Sequence, residues 1–462
     1  MLLPLTLSGL LSGCVLAPRE AKDEKAEMRR AGQSQDYERP FEKRDLPELP
    51  SQPQWQDVLR RSLLANGELE VAYHEWAAAV HRIQQAGGYP NTPLSTSFSY
   101  MFSGESMKTF DRASVNVGPD AMENLAFPPK VYQAAKVATH DAQAAGKRFL
   151  AAKFDVQRRV LNDWFDYALL AERLRIQREN VMLLRLISDT AAARVRAGGA
   201  QQDLLRAETA YRLAENEFQT GESELPQIRA RLNAMMDRAT DAALAPPAQI
   251  PPPRGIAADD ATLLALAAQN NPELAALARD VQGRRDALEL ARMQYIPDFN
   301  PFVGVTGSVS QVVGLGISIP TFLPEVQGMV REARADLRGM LARYRQTKFD
   351  RAAAVVAALY ALRNSERQAE LFNGPILRSA EGVLASSRLA YSAGTGTFIE
   401  LIDAQRTLLD VRLLAAEART AREKSLADLE ALVGLDLETL ATPTTRHATQ
   451  TAAAERNGDQ SE

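Results

Sequence analysis

Residues 311–320 read Gln-Val-Val-Gly-Leu-Gly-Ile-Ser-Ile-Pro. Side chains alternate along a strand, so Val313, Leu315, Ile317 and Ile319 share one face, and Gly314, Gly316 and Ser318 share the other. Outward from this stretch, Pro93 to Phe102, Arg112 to Gly118 and Phe299 to Val309 have the same strand-like composition. Such segments are about the 9 to 11 residues that a membrane-crossing strand needs. Four strands cannot close on themselves, since the smallest membrane barrels have about 8. An open edge in lipid leaves backbone groups unpaired at a cost of several kcal/mol each. Closure therefore demands other subunits. The competing reading of the same segments is a pair of small soluble hairpins capping a helical bundle.

The rest of the chain excludes several kinds of chemistry. Across 462 residues, Lys+Arg 54 stand against Asp+Glu 58, a net charge of -4, so there is no basic excess for wrapping nucleic acid. Cys14 is the only cysteine, which rules out an intrachain disulfide and a Cys-rich zinc site. His74, His81, His140 and His447 show no ligand spacing, and Met101, Met107 and Met122 are scattered without paired histidines, so no metal site is assigned. The helical histidines His74 and His81 read as surface or interface groups. No nucleophile–base arrangement or phosphate loop occurs, so neither an enzyme nor a cofactor is expected. No run of about 18 apolar residues exists to form a transmembrane helix.

Comparing the chain with itself exposes a duplication. Lys153-Phe154-Asp155 recurs as Lys348-Phe349-Asp350 and Phe127-Pro128-Pro129 as Phe322-Leu323-Pro324, both at a shift of 195. Asn66-Gly67-Glu68-Leu69 pairs with Asn271-Pro272-Glu273-Leu274. Ala197-Gly198 followed by Asp203-Leu204-Leu205-Arg206-Ala207 pairs with Ala393-Gly394 followed by Glu400-Leu401-Ile402-Asp403-Ala404. Each copy runs helix, β region, very long helix, glycine-containing turn, returning helix.

Between Lys130 and Ala197 the only glycine is Gly146 and there is no proline, so this stretch reads as nearly continuous helix, roughly 100 Å long at ~1.5 Å per residue. In the returning helices, Leu204, Tyr211, Phe218, Leu225 and Leu232 lie seven apart, as do Leu401/Ile402, Leu408/Leu409 and Ala415/Ala416. That spacing makes a seam for helix-on-helix packing. Gly221 with Pro226, and Gly374 with Pro375, are expected to interrupt or kink the rods.

Residues 1–13 are uncharged and Leu-rich and end in Leu11-Ser12-Gly13 before Cys14, which resembles a bacterial lipoprotein signal, although the usual leading Lys or Arg is absent. The resemblance implies cleavage before Cys14 and its acylation, and Val15 fits sorting to the outer membrane. Residues 14–53 are dense in charge and proline and read as an extended tether. The expected organisation continues with repeat 1 at 54–245, a Pro-rich linker at 246–257, repeat 2 at 258–440 and a disordered tail at 441–462.

Taken together, the duplication, the Asn-x-Glu-Leu opening of each copy, the Asn124-Leu125-Ala126-Phe127-Pro128-Pro129-Lys130 junction and the Tyr391-Ser392-Ala393-Gly394 turn resemble the TolC-type outer-membrane efflux factors over about Gln54 to Leu440. The resemblance implies a mainly α protein with membrane β structure. It also implies a homotrimer with a long periplasmic α-barrel and one shared twelve-stranded transmembrane β-barrel. The chain would be anchored in outer-membrane lipid, extend into the periplasm, and receive substrate from an inner-membrane efflux pump through a periplasmic adaptor protein. Glu400 and Asp403 match an acidic entrance ring. They are three apart and so neighbours on a helix, and threefold symmetry would gather six carboxylates that favour cations. Tyr391 matches a gate tyrosine and Asp203 an acidic latch partner. Gly396 stands where some members carry a latch arginine, a departure that shifts closure toward packing and Tyr391. The expected function is a passive conduit for drugs or other small solutes. The alternatives are a conduit dedicated to heavy-metal cations and a lipid-anchored coiled-coil scaffold.

Overall fold

The computed structural model describes residues 15–89, 94–102, 108–119, 125–256, 258–308 and 310–440; Cys14, Met107 and Met122 lie outside them. Each copy opens where an asparagine divides two helices. Asn66 follows α2 (Trp55–Ala65), and its Oδ1 accepts from the amides of Glu68 and Leu69 at 3.0 and 3.2 Å to start α3 (Gly67–Ala86). Asn271 likewise follows α6 (Asp260–Asn270), and Pro272 then begins α7 (Pro272–Met293), where a missing amide costs no helical bond.

The hairpins follow. β1 (Leu94–Tyr100) and β2 (Ala113–Pro119) belong to the first copy, β3 (Asp298–Thr306) and β4 (Ser310–Ser318) to the second. They form one antiparallel sheet in the order β1-β2-β3-β4, joined across the copies from Ser114↔Thr306 to Val117↔Val303. All four expected strands are present, within a few residues of their expected ends. The row Val313, Leu315, Ile317 and Ile319 is exposed, Val313 by 83%. On the alternate face the Phe302 ring covers its cross-strand partner Gly314, an aromatic over a strand glycine. Among the described residues, β1 and β4 are open edges of this sheet. No described helix is long and apolar enough to cross a membrane.

The first rod, α4 (Pro128–Arg196), is one helix of 69 residues and turns back as α5 (Gln201–Met235). The second, α8 (Leu323–Leu371), passes through a π-helical segment, Phe372–Ile376, into α9 (Leu377–Ser392) and turns back as α10 (Phe398–Val433); α11 (Leu437–Leu440) ends the described chain. The expected break at Gly374-Pro375 coincides with that segment, where Gly374 has φ −104 and ψ −108. Gly221 and Pro226 do not interrupt α5, which runs through both. Gly221 serves close packing instead, since a Cβ there would lie 2.9 Å from Leu174 Cδ2. Small buried residues Ala207, Ala214 and Gly221 each follow a heptad residue, Leu204, Tyr211 and Phe218, by three, which completes a two-position seam.

The N-terminal segment departs from expectation. Residues 14–53 were read as extended, but Glu20–Ser34 form α1, with Ala21, Glu24, Met28 and Gly32 buried. Glu24 accepts from Trp76 Nε1 at 2.7 Å, and the Tyr73 ring lies against Gly32. Composition alone counts the charges of this segment. It misses that four of its residues recur at helical spacing on one face. The same contact explains Gly146 in the long rod, where a Cβ would lie 2.9 Å from both Glu24 Oε1 and the Trp76 ring.

The chain divides into two compact units, Met1–Glu38, Glu70–Leu150 and Glu273–Phe349 in one, and Arg39–Leu69, Ala151–Pro272 and Asp350–Glu462 in the other. In the first, α4 and α7 are zipped by polar pairs: Lys136 and His140 meet Asp286 at 2.8 and 3.1 Å, and Arg148 meets Asp280 at 2.6 Å. In the second, Leu184, Ala191, Ala207, Leu384, Leu401 and Leu408 belong to one apolar cluster that binds α4, α5, α9 and α10.

Candidate entrance and gate at the paired helix turns

The two long rods end in turns that glycine makes possible. Gly198, at φ +94, reverses the chain between α4 and α5, and Gly394, at φ +78, does so between α9 and α10. The second turn launches α10 through a reciprocal cap. The Glu400 amide donates to Thr397 Oγ1 at 3.3 Å, and the Thr397 amide donates to Glu400 Oε2 at 2.9 Å. These bonds favour the charged form and hold the Glu400 carboxyl below the usual carboxylate range.

Glu400 and Asp403 are both exposed, one turn apart on α10. Asp403 lines a groove of about 530 Å³ between the starts of α5 and α10, together with Gln202, Arg206, Thr209 and Arg406. Leu205, Phe398 and Ile402 supply its apolar wall. Ile402 is buried and Leu204 packs against the same cluster, so both are seam residues.

Tyr391 is only 5% exposed, at the end of α9, with its ring 5.8 Å from that of Phe398 in an edge-on arrangement. Its hydroxyl is buried and has no hydrogen-bond partner among the described residues. The group that holds it is Arg194, from the last turn of α4. The guanidinium carbon lies 4.0 Å from the Tyr391 ring centroid, and Nη2 donates to the Tyr391 carbonyl. Asp203 is half-buried in the first turn of α5 and forms no ion pair among the described residues, so the structure does not bring it to Tyr391. A side chain at Gly396 is disfavoured because a Cβ would lie 2.9 Å from that of Ala390. An arginine is thus accommodated beside Tyr391 from the other turn.

Arg194 was not singled out from sequence. The signal available was weak: a basic residue in the last turn of a helix, where it complements the exposed carbonyls. Arg196 shares that property and shows no such contact.

Comparisons with known proteins agree with this architecture. Residues 263–435 match the outer membrane efflux protein family. VceC of Vibrio cholerae superposes with a TM-score of 0.68 at 16% identity, covering 82% of this chain and 96% of that one. The fold is that of the outer-membrane efflux channels. The chain also superposes on CusC with a TM-score of 0.68 at 16% identity, over 86% of this chain and 96% of that one. The MtrE outer membrane channel of Neisseria gonorrhoeae, in its open state, gives a TM-score of 0.66 at 18% identity, over 83% and 89% of the two chains. In sequence, this chain is 22% identical to the cobalt-zinc-cadmium resistance protein CzcC of Cupriavidus metallidurans over 56% of its length, and spans 63% of the length of that protein. The family match falls in the second copy, whereas the structural likeness extends over both.

Proposed function

We propose that this protein is the outer-membrane component of a tripartite efflux system. In this reading it is a homotrimer and a passive conduit for drugs or other small solutes, supplied by an inner-membrane pump through a periplasmic adaptor. The observation that carries the proposal is the four-stranded sheet with open edges at β1 and β4 and an exposed apolar row on β4. Three such sheets, paired edge to edge, close one twelve-stranded barrel and leave no backbone group unpaired in lipid. Acylation at Cys14 would add a lipid anchor, with the long helices reaching into the periplasm. Fractionation tests the reading. A heat-resistant, detergent-requiring trimer in outer-membrane fractions is expected, and a salt-extractable monomer would point to a periplasmic scaffold instead.

At the entrance, Glu400 and Asp403 from three copies would present six carboxylates around the pore. Such rings concentrate cations and repel anions. Tyr391 would act as the gate, with Asp203 as a second, weaker element. In planar bilayers, the double change Glu400→Gln and Asp403→Asn is expected to lower the preference for cations over anions. Unchanged selectivity would remove the ring from the account and leave the duct standing. The likeness to CzcC supports a second reading, a conduit for divalent metal cations. It predicts that deleting the gene sensitises cells to cobalt, zinc or cadmium rather than to organic drugs.

A further inference from the structure

The part of α8 that lies in the first compact unit has three distinct faces. Val326, Ala333, Leu337, Met340 and Tyr344 form the covered one, at alternating steps of three and four beyond Ala333. Opposite it, Gly328, Ala335, Gly339 and Ala342 are exposed, and a Cβ built at Gly328 or Gly339 meets nothing within 4 Å. Small residues on an uncovered face allow another backbone to come close. Between these faces runs a flank of cations. Arg331, Arg334, Arg338 and Arg345 are spaced by three, four and seven, so they stack along one side of the helix. All four are exposed, and none forms an ion pair among the described residues. In the same unit Arg148, Arg284 and Arg292 each meet a carboxylate.

The matching anions are on α1. Its inner face is fixed by Glu24, Met28 and Gly32, which leaves Glu20, Asp23 and Glu27 exposed at spacings of three and four. These three also form no ion pair among the described residues. Both stripes rise about 10 Å over their first seven-residue span. We infer that α1 of one copy docks beside α8 of the next, with Glu20, Asp23 and Glu27 facing Arg331, Arg334 and Arg338, and the small-residue face of α8 admitting the neighbouring copy. The inference rests on the trimeric reading above and names one further contact between its copies. A lipid surface is the poorer occupant. The cationic stripe runs along the helix axis for roughly 20 Å, whereas a headgroup layer would meet only one end of it. Single exposed ion pairs contribute little, but a threefold-repeated network adds up.

The test uses the full-length protein in detergent. Sedimentation of the unaltered protein first establishes whether it is a trimer; a monomer there defeats the trimeric reading itself. Given a trimer, the triple reversal R331E/R334E/R338E is expected to lower the temperature at which the trimer dissociates, by more at low salt than at high salt. Adding E20K/D23K/E27K is expected to restore it. An unshifted midpoint, or failure of the second set to rescue the first, overturns the inference. Because a reversal can impair folding, D23C paired with R334C is the independent reading. Mild oxidation is expected to yield covalently linked copies on a denaturing gel, and their absence from a trimer of unchanged helicity overturns the contact.

Discussion

Phe165 in α4 and Tyr360 in α8 occupy the same place in two copies of one sequence, and their surroundings are opposite. Phe165 is 1% exposed and packs with Leu161, Ala427 and Trp55, whereas Tyr360 is 75% exposed. The contrast repeats along the rods at Leu161 against Val356 and at Phe154 against Phe349, where 7% exposure becomes 66%. Duplication kept the large apolar side chains at both sites. At these three positions the first copy buries them within its own chain, and the second leaves them uncovered. Apolar surface retained in this way marks an interface, because a solitary chain derives no stability from it. The contrast is confined to this stripe of the two rods, since Val355, Leu359 and Leu362 on another face of α8 are buried within the chain.

The largest expected effect follows directly. Phe165→Ala removes a fully buried ring and is expected to cost about 3–5 kcal/mol, read as a lower denaturant midpoint for the chain. Tyr360→Ala should leave the helical content and the unfolding midpoint of the dissociated chain unchanged, and lower the dissociation temperature of the trimer. If both substitutions destabilise the isolated chain equally, the distinction between the two rods fails.

That asymmetry could not be read from sequence, for a physical reason. Both rods carry large apolar residues at matching places, and such a pattern states which side chains need cover without stating which chain supplies it. The strand segments were legible because a two-residue alternation of Val, Leu and Ile with Gly and Ser has few other uses. The duplication was legible because Lys-Phe-Asp recurs at a fixed shift. Helix α1 was missed because four inward-facing residues are diluted among charges. The grip of Arg194 on Tyr391 was missed because it joins residues 197 positions apart through a turn geometry that neither segment encodes alone.

A second comparison lies at the far ends of the returning helices. Asn233 in α5 corresponds to Glu430 in α10, and both are buried, at 0% and 1% exposure. Asn233 donates to the carbonyls of Thr240 and Ala242 at 3.3 and 2.8 Å and carries no charge. Glu430 accepts from Arg254 at 2.9 Å and from the Leu437 amide at 3.2 Å. Burial outweighs these partners and pushes the Glu430 carboxyl up from its ordinary 4.5 to about 7. The folded state therefore binds the proton more tightly than the unfolded state does. The stability linked to this group is fully present below about pH 4.5 and is lost as pH rises to about 7, a span of about 3 kcal/mol. Glu430→Gln should flatten the stability profile across that window, measured by denaturant midpoints from pH 4 to 8. A profile that keeps its slope would assign the titration elsewhere.

The smallest expected effect concerns the entrance, where the copies differ again. Tyr391 in the second turn has Val195 as its counterpart in the first, and the arginine that stacks on Tyr391 comes from the residue just before Val195. The Arg194–Tyr391 contact therefore joins non-equivalent positions and breaks the twofold likeness of the turns. Arg194→Ala removes both the stacking on the ring and the donation to the carbonyl. Stacking of this kind contributes about 0.5–2 kcal/mol, so the open fraction in planar bilayers is expected to rise by about tenfold. Arg194→Lys keeps the charge but loses the flat guanidinium, and should fall between. Tyr391→Phe discards a hydroxyl that has no partner among the described residues, and should leave the conductance as it was. If Tyr391→Phe opened the channel and Arg194→Ala did not, closure would depend on the phenol oxygen and a polar latch. The equal response of both would point to general loosening of the cluster that surrounds Phe398.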